Sequence, residues 1–321
     1  MRVAIVGTGY IAGRHAEALA AMAGEDAPEI VGFLDVAPDA AAQAAQKWGG
    51  KPYADIDEML EDARPQAVWI CVPPFAHGAV ESACLRKGVA LYIEKPIGTD
   101  TDGPQAIADE IARSDSLVNV GYYWRCIEAM PRLKALLDET PPRLVRAAWH
   151  GLTPPAPWWG VQEKSGGQMV EQATHLVDTM RWLLGEATVS YATARHTDRP
   201  EFPDLDVATV TAAALEFGEV PALISATCVL GNTTDANIEF YCDGRKITLG
   251  RAELTIETPD DKAVEELGSD PLVLADEAFL KAVRTGDASL LPCPYDDALR
   301  TQQLCVDIQT QSGQAGMEAA V

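Results

Sequence analysis

Short apolar runs alternate with Ala- and Leu-rich segments of helical spacing through the first 120 residues. Residues 3–6 form an apolar run that stops at Gly7, and residues 11–22 carry apolar positions at helical spacing. Further strands follow at 30–34, ending on Asp35, and at 67–72, 89–93 and 117–120. Helices are expected after Pro38, over 76–87 and near 102–113. Strands separated by helices need right-handed crossovers, which give a parallel sheet covered on both faces. The expectation is an α/β fold with an N-terminal doubly wound Rossmann domain over residues 1–121.

From residue 143 the pattern changes. Strand-like stretches occur at 144–149, 188–195, 207–217, 222–230, 236–241, 246–249 and 253–257, with turn signals between them. Asp243–Gly244 is a hairpin turn signal, and residues 196–206 read as a polar, Pro-containing loop. Two helices are expected at 272–284 and 295–312, and the small-residue tail from Gly313 is expected to be mobile. Residues 122–321 thus read as a second, sheet-rich α+β domain whose strand order the pattern does not give.

The length of 321 residues agrees with two domains at roughly 150 residues each. The 47% of hydrophobic residues are dispersed, without the ~20 consecutive apolar residues of a membrane span. The chain enters a strand pattern at once, without an export leader, which points to the cytoplasm. Seven scattered cysteines, none in a CxxC pair, suit reduced thiols better than disulfides or zinc. A net charge of −23 without Lys/Arg clusters argues against nucleic acid, because polyanion binding works through displaced counterions.

Gly7-Thr8-Gly9-Tyr10-Ile11-Ala12 joins the first strand to the first helix. The first glycine permits a tight turn, the second lets backbone approach a pyrophosphate, and Ala12 lets helix and strand pack; the helix N-terminus offers free N–H groups to phosphate. Asp35 can accept from the adenosine ribose hydroxyls and repel a 2′-phosphate, so NAD is expected over NADP. As an alternative, it is a turn or helix-capping residue.

Lys95 lies at the carboxyl end of a strand, in Glu94-Lys95-Pro96, where open α/β sheets place ligand crevices. A lysine there can hydrogen-bond a substrate hydroxyl, although a lone lysine is more often a surface residue, and Pro96 is a candidate for a cis bond. Residues 165–184 read as one helix entered after Gly166-Gly167 and ended by Gly185, with Glu171, His175 and Asp178 on one face. A carboxylate four residues before a histidine can orient the imidazole as a base; a structural histidine is the alternative, and no further ligand nearby favours a metal. Trp158 and Trp159, in a Pro-rich loop, offer aromatic faces to a sugar ring or simply pack.

These motifs in this order, GTGYIAGRH, ICVPPFAHG, EKP, VGYYWR and SGGQMVEQATHLVD, resemble the Gfo/Idh/MocA oxidoreductases over nearly the whole chain. The resemblance implies hydride exchange between NAD(P) and a secondary alcohol or hemiacetal carbon. It also implies a C-terminal domain with an open, mainly antiparallel sheet that forms the substrate face and often the interface of a homo-oligomer, here a dimer or tetramer. Carried over by motif, Lys95 and His175 bind the reacting hydroxyl and remove its proton, with Glu171 as the histidine's partner where aspartate is more usual. Val72, Pro73, Pro74 and His77 match the segment under the cofactor, with Glu94 and Lys95 beside it; Tyr123 and Arg125 match the exit from the first domain. Arg125 and Trp159 are expected to border a sugar or polyol pocket. Two other readings stand beside the dehydrogenase: a redox-neutral enzyme of glycoside cleavage or sugar rearrangement that recycles its NAD, and a non-catalytic sensor of NAD or sugar.

Overall fold

The computed structural model describes residues 1–24 and 27–313, so all but the first residue of the expected mobile tail lies outside the described residues. Through the first 120 residues the chain runs β1 (Arg2–Val6), α1 (Tyr10–Ala21), β2 (Glu29–Leu34), α2 (Pro38–Trp48), β3 (Lys51–Tyr53), α3 (Ile56–Asp62), β4 (Ala67–Ile70), α4 (Ala79–Arg86), β5 (Ala90–Ile93), α5 (Asp102–Ile111) and β6 (Val118–Val120). The remainder runs α6 (Met130–Glu139), β7 (Pro142–His150), α7 (Gln162–Ser165), α8 (Gly167–Glu171), α9 (Thr174–Leu184), β8 (Thr188–Arg195), β9 (Val210–Phe217), β10 (Val220–Thr227), β11 (Asp235–Cys242), β12 (Arg245–Leu249), β13 (Glu253–Glu257), β14 (Lys262–Glu266), α10 (Pro271–Thr285) and α11 (Tyr295–Gln311).

The first six strands form one sheet in the order β3-β2-β1-β4-β5-β6, every pair parallel. The order reverses between β1 and β4, and the crevice at such a reversal, outside the carboxyl ends of the strands, is where open α/β sheets bind ligands. Alternate residues feed two cores. Ala4, Val6, Val68, Ile70, Leu91 and Ile93 face one, while Val3, Ile5, Trp69 and Tyr92 face the other with Leu19 of α1 and Phe279 of α10. Burial on both faces explains why these strands read as unbroken apolar runs.

The other eight strands form a second sheet, β14-β13-β12-β11-β7-β10-β9-β8, antiparallel except for the pair β7 and β10. One face is buried by Val145, Ala213, Leu215, Ile224, Ile238 and Phe240. The alternation that predicted these strands reflects this one-sided burial. The Asp243–Gly244 hairpin joins β11 to β12, with Gly244 at φ +75°.

The chain divides into two compact units: residues 1–98, 102–126 and 270–299, then 99–101, 127–269 and 300–321. The sequence suggested a single cut after residue 121. Helix α10 instead belongs to the first unit, where Phe279 and Leu280 enter the core around Trp69. The short, mostly exposed β3 and β14 carried too little apolar pattern to be expected, whereas α3, which buries Met59 and Leu60, and α6, which buries Met130, Leu133 and Leu137 at helical spacing, were passed over. The single helix expected between the glycine pair and Gly185 is two pieces, α8 and α9. Between α8 and α9 the Ala173 N–H reaches back five residues to the Gln168 carbonyl (2.9 Å), inserting a residue into the helical repeat.

Candidate active site

In the first unit, Gly7 follows β1 with a φ of +85° in the left-handed region; an added Cβ would collide with the carbonyl of Cys71, just after β4. Gly9 precedes α1 and supplies no side-chain cap, so the helix's first N–H groups are left for another acceptor. A Cβ placed on Gly9 meets no protein atom within 4 Å. Space at the helix mouth, free amides and positive dipole together fit a pyrophosphate. Asp35, just after β2, accepts from the Thr8 N–H (2.8 Å) and hydroxyl (2.7 Å) on Oδ2 and from the Ala37 N–H (2.9 Å) on Oδ1. It is therefore a turn residue that also holds the glycine loop, and a carboxylate's lone pairs are not exhausted by these bonds. Tyr10 is 82% exposed at the start of the helix, followed by half-buried Ile11.

Beyond β4, half-buried Val72 and Pro73 lead into a short 3₁₀ turn, Pro74–Ala76. His77 Nδ1 lies 2.5 Å from Glu81 Oε1, and the Gly78 N–H donates to Glu81 Oε2 (2.6 Å). Burial works to raise the Glu81 carboxyl, but the His77 ring and these hydrogen bonds prevail and hold it below the usual glutamate range.

Lys95 follows β5, half-buried, and the Lys95–Pro96 bond is cis, as the motif suggested. Glu94, expected beside the cofactor, is 3% exposed and lies against the ring of His15. The half-buried Tyr123 opens a 3₁₀ turn, Tyr123–Cys126, in which buried Arg125 binds Asp297 (2.5 Å) and the Pro292 carbonyl (3.4 Å). Arg125 thereby ties the chain's exit from the first sheet to the start of α11.

In the second unit His175 is buried in the first turn of α9, its ring near-parallel to Trp149 at 6.3 Å. Glu171 ends α8 and His175 lies in α9, so the inserted residue falls between them. The Trp159 indole donates to Glu171 Oε2 (2.7 Å). Trp159 itself is 1% exposed and packs with Leu205, Val207 and Cys228, while Trp158 is partly buried against the same cluster. Asp178, placed with His175 by spacing, accepts from the Thr301 hydroxyl (2.8 Å), which in turn accepts from Arg181 (3.0 Å). Among the described residues no His/Cys/Asp/Glu cluster suits a metal.

Sequence reasoning passed over His15. It falls on the buried stripe Ala12, His15, Ala16, Leu19 of α1, and a histidine in such a stripe signals a buried partner. That partner, Asp276, comes from α10.

A parallel sheet in this order, with a glycine turn after β1 and an acid after β2, defines a dinucleotide-binding domain. The chain belongs to the Gfo/Idh/MocA oxidoreductase family: the family's "oxidoreductase family, NAD-binding Rossmann fold" matches residues 1–122 and its C-terminal domain matches residues 140–248. The resemblance read from the motifs is thereby borne out. Among relatives, an uncharacterised protein of Schizosaccharomyces pombe is 26% identical, covering 79% of this chain and 73% of its own. Inositol 2-dehydrogenase of Streptomyces avermitilis is 24% identical, covering 88% and 82%. Among solved structures, a levoglucosan dehydrogenase in complex with NADH and levoglucosan has a TM-score of 0.85 at 18% identity, covering 98% of this chain and 97% of that one. KijD10, a 3-ketoreductase from Actinomadura kijaniata in complex with NADP and TDP-benzene, has a TM-score of 0.84 at 22% identity, covering 97% of each.

Proposed function

We propose that the protein is an NAD-dependent dehydrogenase that moves hydride between the nicotinamide and a secondary alcohol or hemiacetal carbon of a sugar or cyclitol. The glycine turn closed onto Asp35 carries this reading, in a family whose members include inositol 2-dehydrogenases. Bound NAD supplies the hydride acceptor. Gly7, Thr8, Gly9, Tyr10 and Ile11 hold its phosphates, Asp35 its ribose, and Val72, Pro73, Pro74, His77 and Glu94 line its path. Asp35 sets the preference for NAD, since a carboxylate repels a 2′-phosphate.

Lys95 donates to the reacting oxygen and steadies its developing negative charge, and His175 takes the hydroxyl proton on its imidazole. Glu171, oriented by the Trp159 indole, supports the histidine's charged form. Tyr123, Arg125 and Trp159 border the sugar pocket. Seven free cysteines fit a reducing cytoplasm, and no helix among the described residues is long and apolar enough to cross a membrane. We assign a homo-oligomer, dimer or tetramer, to the open face of the second sheet. There Ala148, Ala212 and Ala214 help line a groove of about 510 Å³ beside Tyr191 and Leu223, 61% and 50% exposed.

The test is absorbance at 340 nm with NAD or NADP against a panel of polyols, aldoses and inositols at mildly alkaline pH. Reduction of NAD by one substrate class is the expected result. NAD binding without reduction across the panel would reject the dehydrogenase.

A further inference from the structure

His15 is completely buried in α1 and both of its ring nitrogens face carboxylates. Nδ1 lies 2.8 and 2.9 Å from the two oxygens of Asp276 in α10, and Nε2 lies 3.0 Å from Oε1 of Glu94. Where both carboxylates are ionised each only accepts, so the imidazole between them donates from both nitrogens as a cation; burial pushes the Asp276 carboxyl up, and the His15 ring opposes that shift. Asp276 also accepts from the Trp69 indole (2.9 Å). Around this group stand aromatic walls: Tyr92 edge-on to His15 at 5.0 Å, Trp69 stacked on Tyr92, and Phe279 edge-on to both. The other titratable groups facing it, the Tyr92 hydroxyl and the Cys71 and Cys126 thiols, are pushed up by burial and stay neutral. Charge attraction is strong in such a dry enclosure, and an unpaired carboxylate there is costly.

Glu94 is held from every side. Its N–H donates to the Ile70 carbonyl of β4 (2.9 Å), and the Ile93 carbonyl before it accepts from Gly121 (2.8 Å). Gly121 has no side chain where a Cβ would collide with the Glu94 carboxylate. The next residue is Lys95.

We propose that His15 is a positioning residue: as an imidazolium clamped by Asp276 it fixes the Glu94 carboxylate, and through it the backbone from which Lys95 enters the crevice at the end of β5. This rests on the reading of Lys95 as the group that holds the reacting oxygen. The two carboxylates cannot both stay buried beside an uncharged ring, so the clamp depends on the histidine's charge and not only on its shape. Gln, which keeps a donor but loses the charge, separates the two.

The experiment combines kinetics and nitrogen NMR on the full chain with NAD, using the alcohol found in the 340 nm panel. His15→Gln is expected to lower kcat about 10- to 100-fold while NAD affinity and alcohol KM stay within about threefold. In a Lys95→Ala background, His15→Gln should then lower kcat no further, because the two changes act through one group. Undiminished kcat in His15→Gln, or equal losses in both backgrounds, overturns the proposal. Undiminished kcat in Lys95→Ala overturns instead the reading of Lys95. Should His15→Gln fail to fold, wild-type protein with nitrogen-labelled histidine still decides: of five imidazoles, one should keep both ring protons through pH 9. Five neutral rings at pH 9 overturn the proposal.

Discussion

A carboxylate at the end of β2 can serve the protein and a ligand at once, and Asp35 shows how. Its three bonds to Thr8 and Ala37 shape the glycine loop before any ribose arrives. Asp35→Ser should therefore weaken NAD binding about tenfold, ~1.4 kcal/mol, and narrow the gap between NAD and NADP, measured by fluorescence titration with each. Gly7→Ala sets a Cβ against the Cys71 carbonyl at φ +85°, and an unfolding midpoint in urea should show a loss of about 1–3 kcal/mol or more. Lys95→Ala should reduce kcat by about 10²- to 10⁴-fold with NAD affinity almost unchanged, read in the 340 nm assay with isothermal titration beside it. For His15, burial opposes charge, but Asp276 and then Glu94 outweigh it and push the imidazole from 6.5 to about 10. A raised folded-state pKa contributes stability fully present below pH 6.5 and lost as pH rises through 10. The thermal midpoint should thus fall between pH 7 and 10, and fall less in His15→Gln.

Elements show what periodicity can and cannot deliver. Runs such as Ala67–Ile70 and Ala90–Ile93 are buried throughout, so composition alone marked them as strands. The segment 165–184 was harder, because helical spacing persisted while the backbone inserted a residue at 172–173. No side chain there announces the break. Glu171 also accepts from the Trp159 indole, from a loop twelve positions earlier. Trp159→Phe removes that donor beside a carboxylate and should cost about 1.5–3 kcal/mol in a denaturant titration. If Trp159 and Arg125 also touch sugar, their Ala variants should raise alcohol KM several-fold; an unchanged KM in both would confine them to the packing and ion pairing described above.

At the scale of the whole molecule, the second sheet presents an open face with exposed Tyr191 and Leu223 above a floor of small alanines. A charge placed there should disfavour self-association, so Leu223→Lys is expected to reduce the mass measured by light scattering toward that of one chain. The sequence by itself determined that a parallel Rossmann sheet comes first and a sheet-rich domain follows. It also singled out Gly7, Asp35, Lys95 and His175 as candidates. These features are local: a turn that only glycine permits, a carboxylate at a strand end, and apolar periods of two and 3.6 residues are written in neighbouring positions. Tertiary structure alone decided the strand order, the parallel pairing of β7 with β10 and the return of α10 to the first unit. It alone brought Asp276 to His15 across 261 positions of sequence. Such pairings depend on how buried surfaces and buried charges are satisfied in three dimensions, and no local period encodes which distant residue will satisfy them.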